Sequence, residues 1–213
     1  MPARSHPEPA DTRTGAYTRR LASLEGARWK QVLDVQRPYR WNLRRLHLGR
    51  TLDVGCGLGR NLAALAPGSV GVDHNPESVA LARSRGLAAM IPEELEASGA
   101  PGADPFDSLL FAHVIEHMDE PAGRRLVATY LRWLRPGGTV AFICPQERGY
   151  ASDETHVRFV DLADLARLAA DVGLEAVRRY SFPLPRLAGR LFTYNEFVLL
   201  ARLSPPGADG AAG

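Results

Sequence analysis

Cysteine is scarce. Cys56 and Cys144 are the two cysteines in 213 residues, too few for a disulfide framework and not spaced as a metal knuckle. No apolar run approaches the roughly 18–20 residues that cross a bilayer, so no spanning segment is expected. The opening stretch MPARSHPEPADTRTG has no apolar core, so it does not read as a secretory signal. A cytoplasmic protein without a membrane partner is therefore the default expectation. An excess of one charge is also missing. Twenty-six Lys and Arg against 24 Asp and Glu leave a formal net charge of +2, too little to argue for nucleic acid. The balance is broken locally: residues 19–50 carry nine basic residues against Glu25 and Asp34. That excess reads either as the solvated face of a helix or as a rim that attracts an anionic substrate.

The 45% hydrophobic and 23% charged residues are those of an ordinary globular chain, and its length suits one domain with a full core. Residues 1–15 and 204–213, rich in Pro, Gly, Ala and Asp, are expected as disordered tails. A single domain then occupies 16–203, with 16–49 as a helical segment capping the substrate. Leu21, Leu24, Val32 and Val35 share a helical face, predicting a helix over 17–35 that Pro38 interrupts.

Beyond that point strands and helices alternate. Strands are expected at 51–55, 69–73, 87–91, 106–113 and 139–144, with helices at 59–66, from Pro76 to Gly86, and from Pro121 to the RPGG stretch at 135–138. A further helix follows Asp161 and stops at Gly173. The last two β-rich runs, EAVRRYSF and NEFVLLARL, lie about a dozen residues apart with no helix between them, and should pair antiparallel. Such alternation implies an α/β fold, a doubly wound and mostly parallel sheet covered on both faces. Ligands on that fold bind beyond the carboxyl ends of the strands, where strand order reverses.

The loop in TLDVGCGLGRN ends the first strand at that place. Gly55, Gly57 and Gly59 permit positive φ and let a ligand approach bare backbone. A dinucleotide site would want glycine at position 60, where Arg60 stands. Asp73, about 20 positions on, can accept hydrogen bonds from ribose hydroxyls, and Asp53 adds a carboxylate at the loop base. Two acids suit a ligand with an ammonium group and a ribose, and repel a pyrophosphate.

Four blocks in order, LDVGCGLG, GVDHNPESVALAR, FDSLLFAHVIEHM and LRPGGTVAF, resemble the class I S-adenosylmethionine-dependent methyltransferases over about residues 50–145. The resemblance implies a Rossmann-like, seven-stranded sheet with an antiparallel C-terminal hairpin, and S-adenosylmethionine as cofactor. The loop Gly55, Cys56, Gly57 and Gly59 would hold the methionine portion, with Asp53 at its base. Asp73 would bind the ribose, His74 would flank the adenine, and Met90 and Ile91 would line its pocket. His113 would lie beneath the methionine part. In the family's sheet order strand four separates strands one and five, which excludes a Cys56–Cys144 bridge.

Methyl transfer to a hydroxyl needs alignment and a base. Tyr39, Trp41 and Phe111 either face a positive sulfur or serve as ordinary core packing, and Glu116, His117 and His156 are the candidate catalytic residues. The HVIEHM stretch with a later histidine is similar to ubiquinone-biosynthesis O-methyltransferases and to small-RNA 2′-O-methyltransferases, which use Glu-x-x-Glu-His there around a divalent metal. This chain departs from both. His113 stands where the first glutamate would be, and three histidines with one carboxylate suit zinc or iron better than magnesium. The membrane-facing insertion of the ubiquinone enzymes is also missing, and no metal is assigned. The expected function is methyl transfer to a small molecule, most naturally to oxygen. The alternatives are an RNA 2′-O-methyltransferase or a non-catalytic cofactor-binding module.

Overall fold

A computed structural model describes residues 36–99 and 104–203. In chain order its elements are helix α1 (Arg37–Arg45), strands β1 (Thr51–Val54) and β2 (Val70–Val72), α2 (Pro76–Ser84), β3 (Ala89–Met90), α3 (Pro92–Ala97) and β4 (Phe106–Ala112). There follow α4 (Glu120–Leu131), β5 (Leu134–Pro145), α5 (Glu147–Tyr150), α6 (Leu162–Asp171), β6 (Leu174–Phe182) and β7 (Glu196–Leu203). The sheet has the order β3-β2-β1-β4-β5-β7-β6. Pairing is parallel from β3 to β5, and β7 runs antiparallel to both β5 and β6. The doubly wound sheet and its antiparallel hairpin are as expected. Strand order reverses at β1 and β4, so their diverging carboxyl ends leave a crevice.

Alternation along the central strands sorts side chains onto two faces. Leu109, Phe111, Val140, Phe142, Phe197 and Leu199 meet α4 and α6 on one face, while Leu110, Ala112, Ala141, Ile143 and Val198 meet Leu43 of α1 on the other. Phe111 and Phe142 stack at 5.4 Å with no exposure. Truncating either to alanine would cost about 3–5 kcal/mol. Phe111 is therefore core and does not face the crevice, so of its two readings packing holds and the sulfur contact does not.

Several helix ends follow directly from sequence chemistry. The Asn75 side chain accepts from the backbone N–H of Glu77 and Ser78, and Pro76 opens α2 where no N–H is needed. Asp119 caps α4 through Ala122 N–H. Asp161 and Asp164 cap α6 reciprocally. Gly86 and Gly173, at φ of 78° and 79°, end α2 and α6 in the left-handed region.

Other expectations need correction. Residues 59–66 form no α-helix, only turns and one 3₁₀ turn at Leu62–Ala64. Pro67 leaves too few residues after the loop to repay helix nucleation. Pro38 sits in the first turn of α1, which starts at Arg37. Arg135–Gly138 lie within β5, which starts at Leu134. The register slips between Phe106↔Leu134 and Ser108↔Thr139, so the Pro-Gly-Gly stretch is taken up as a bulge. Helices α3 and α5 were not expected. The helix expected over 17–35 and both tails lie outside the described residues. Cys56 and Cys144 are both free and buried, with β4 between their strands.

Candidate active site

Two adjoining clefts open at the carboxyl ends of β1, β4 and β5. The first is made of backbone. Gly55, Gly57 and Gly59 have φ of 74°, 51° and 79°, a region other residues enter at a cost of about 1–2 kcal/mol. Gly55 and Cys56 N–H both donate to Val72 O, and Gly57 N–H donates to Asp73 Oδ2 at 2.8 Å. A Cβ on Gly59 would lie 2.3 Å from Leu87 Cδ1, whereas one on Gly57 would meet nothing within 4 Å. Gly59 is thus glycine for packing, and Gly57 is the bare surface a ligand can approach. Cys56 turns its side chain inward against Gly71; burial pushes its thiol well above its ordinary value, so it contributes backbone and no nucleophile.

Asp73 is held by Gly57 N–H and Asn75 N–H, and a carboxylate has lone pairs to spare for two ribose hydroxyls. His74 stands beside it, Nδ1 3.8 Å from Asp73 Oδ1 and about half exposed. Met90 ends β3 and Ile91 follows it, both partly buried, and Asp73 N–H donates to Met90 O. Asp53 is buried at the loop base, and its Oδ2 has no hydrogen-bond partner. Burial first, and the neighbouring Asp73 second, raise it to about 7. An orphaned carboxylate beneath an open glycine cradle fits a ligand that brings an ammonium group, so these residues suit S-adenosylmethionine.

The second cleft has a volume of about 280 Å³, and Tyr39, Arg60, His113, His117, His156 and Glu196 are among its lining. It is built by contacts between distant segments. Val157 and Arg158 N–H both donate to Glu116 O, stitching the loop after α5 to the turn after β4. His117 and His156 are brought to a ring separation of 4.8 Å. His117 Nδ1 donates to Thr155 O at 3.1 Å, and His156 Nδ1 donates to Tyr150 O at 2.7 Å. A carbonyl can only accept, so each Nδ1 carries a proton, and Nε2 is the remaining nitrogen of each ring. Burial, opposed by Glu116 and aided by His156, lowers His117 below the ordinary histidine value.

Glu116 is fully buried, and neither carboxylate oxygen has a hydrogen-bond partner. Its compensation is His113. That residue ends β4 with φ of 59°, a strained conformation for a non-glycine residue. The strain aims its ring between two acids: Nε2 is 2.9 Å from Glu196 Oε1, and Nδ1 is 3.3 Å from Glu116 Oε1. Burial opposes the charge on His113, but the two carboxylates outweigh it and raise its pKa to about 9. Burial would likewise raise Glu116, yet His113 wins and holds it below the usual carboxylate value. His113 is therefore an imidazolium at neutral pH, a counter-ion and not a base. Ligand atoms of Glu116, His117 and His156 lie within 4.8 Å of one another, a group able to hold a cation.

Of the aromatic candidates, only Tyr39 lines this cleft, its hydroxyl donating to Tyr194 O. Trp41 stacks on Phe182 and is 53% exposed. The sequence reading missed Glu196, the His113 partner, and the buried pair Asn195 and Gln146 that fixes the strand start behind it. An acid opening an otherwise apolar strand, NEFVLLARL, was the available signal.

Residues 34–179 match the family model described as a methyltransferase domain. No curated protein matches the sequence significantly. Among solved structures, one neighbour is a SAM-dependent methyltransferase from Archaeoglobus fulgidus, with 18% identity, TM-score 0.61, and coverage of 81% of this chain and 99% of that one. Another is magnesium protoporphyrin IX methyltransferase from Synechocystis with bound SAH, with 14% identity, TM-score 0.59, and coverage of 89% and 99%. The N-methyltransferase NodS from Bradyrhizobium japonicum is 17% identical, with TM-score 0.56 and coverage of 79% and 96%. Among the described residues no helix is long and apolar enough to cross a membrane.

Proposed function

Because the chain belongs to the methyltransferase-domain family, an enzyme family for which S-adenosylmethionine is the expected cofactor, we propose that it methylates a hydroxyl oxygen on a small molecule. Bound S-adenosylmethionine supplies an electrophilic methyl group on a sulfonium. The loop Gly55 to Gly59 and Asp53 hold its amino-acid end, Asp73 its ribose, and His74, Met90 and Ile91 its base. The acceptor enters the second cleft.

The observation that carries this reading is the pair of cleft-lining imidazoles, His117 and His156, whose Nδ1 atoms are both engaged by backbone carbonyls so that Nε2 of each is the atom left for a proton. Either can take the proton from a hydroxyl as the new C–O bond forms, and buried Glu116 stabilises the imidazolium that results. His113 keeps Glu116 ionised. A cleft of this volume admits a metabolite-sized acceptor. The test is transfer of labelled methyl from S-adenosylmethionine into a metabolite extract. Labelled O-methyl products that disappear with His117→Gln support the assignment, whereas labelled RNA or N-methyl products contradict it.

The closeness of their ligand atoms favours a second reading, in which Glu116, His117 and His156 bind a divalent ion. Two imidazoles and one carboxylate suit zinc or iron better than magnesium. Stoichiometric zinc retained through dialysis, and lost in Glu116→Gln, would support it.

A further inference from the structure

Eight large apolar side chains are strongly exposed among the described residues. Six of them, Trp41, Leu184, Leu187, Leu191, Phe192 and Tyr194, lie on α1 and on the connection between β6 and β7. Leu187 and Leu191 are 76% and 87% exposed. These positions form one surface. Trp41 stacks on Phe182 at 6.4 Å, Tyr39 packs edge-on to the same ring at 5.8 Å, and the Tyr39 hydroxyl donates to Tyr194 O. Gly189 lies against Gln146, and Arg186 is held by Glu147 of α5 at 2.8 Å, which fixes the connection beside the mouth of the second cleft.

The charge on these segments is one-sided. Residues 37–45 and 183–194 carry Arg37, Arg40, Arg44, Arg45, Arg186 and Arg190 and no Asp or Glu, in a chain whose total charge nearly balances, and of these Arg186 is paired with Glu147 of α5. Arg45 lies over the Trp41 ring at 4.9 Å. Protruding aliphatic tips beside arginines are the features that let a protein rest on an anionic bilayer. A second copy of the chain would bring arginines against arginines. Single-stranded RNA would use the arginines and aromatic rings but gain nothing from three protruding leucines.

We propose that this face docks on an anionic lipid bilayer, with the leucine and aromatic tips among the headgroups and the arginines meeting lipid phosphates. The second cleft then opens toward the membrane surface; calling that cleft the acceptor site rests on the methyltransferase reading above. The expectation of no membrane partner came from the lack of a spanning run, which bears on crossing a bilayer and not on resting against one.

The test sediments the full chain with vesicles of phosphatidylglycerol and phosphatidylcholine, and with vesicles of phosphatidylcholine alone. Binding is expected to the anionic vesicles and to be about ten-fold weaker on the neutral ones. Leu187→Ser with Leu191→Ser should lower anionic binding about ten-fold or more. Both side chains point into solvent, so affinity for S-adenosylhomocysteine should not change, which separates failure of this proposal from failure of the methyltransferase reading. No binding to either vesicle, undiminished binding of the double variant, or a leucine-dependent dimer or RNA complex in its place would overturn it.

Discussion

Around β1 to β3, the contacts that shape the cofactor cleft join residues close in sequence. Gly57 reaches Asp73 across 16 positions, and Asp73 reaches Asn75 across two. Around the ends of β4, β5 and β7 the opposite holds. His113 meets Glu196 across 83 positions, His117 meets Thr155 across 38, and Tyr39 meets Tyr194 across 155. The first region is made mainly of bare backbone and one well-anchored carboxylate, the second of titratable side chains that neutralise one another. One is a shape, and the other a charge arrangement that exists only once the sheet has closed.

The sharpest way to break this comparison is to remove charge chemistry and leave shape alone. His117→Gln with His156→Gln should lower kcat by about 10²–10⁴-fold with little change in cofactor affinity, as measured by initial rates at saturating donor. Because burial lowers His117, the acid limb of the pH–rate profile should fall below pH 6.5. A variant retaining most of its activity would remove the base from the account.

The glycines of the cofactor loop should separate packing from binding. Gly59→Ala forces a side chain onto φ of 79° and against Leu87, and should cost about 2 kcal/mol or more, or roughly 4–8 °C in Tm. Gly57→Ala has room for its methyl and should cost about 1 kcal/mol, with the greater loss in affinity for S-adenosylhomocysteine. Equal Tm losses would erase that distinction.

Smaller effects come from protons. His113 is raised to about 9 in the folded protein, so its ion cluster is fully stabilising below the unfolded value near 6.5 and is lost as pH rises through 9. Tm should fall by about 3–6 °C between pH 7 and pH 9.5, and His113→Gln should flatten that fall. Asp53, raised to about 7, must ionise to meet an ammonium group. Affinity for S-adenosylhomocysteine should therefore rise several-fold from about pH 6 to pH 8, and not in Asp53→Asn.

This division also explains what could be read from the chain. Glycines at alternate positions, an acid after the second strand, and Asn-Pro opening a helix are local steric statements, so the glycine turn after β1 and α2 were legible. The supposed helix at 59–66 was not, because local apolar spacing says nothing of how soon Pro67 closes the segment. His113 was placed correctly at a strand end, yet its positive charge depends on Glu196, whose position follows only from β7 pairing beside β5. Phe111 could be read as ligand-facing or as core because strand alternation does not tell which face another layer covers.

The most direct test of this split titrates S-adenosylhomocysteine calorimetrically into wild-type, Asp73→Ala and His117→Gln proteins. One site is expected in the wild type, weakened about 100-fold or more by Asp73→Ala and changed less than about two-fold by His117→Gln. Unchanged affinity in Asp73→Ala, or an equal loss in His117→Gln, would contradict it.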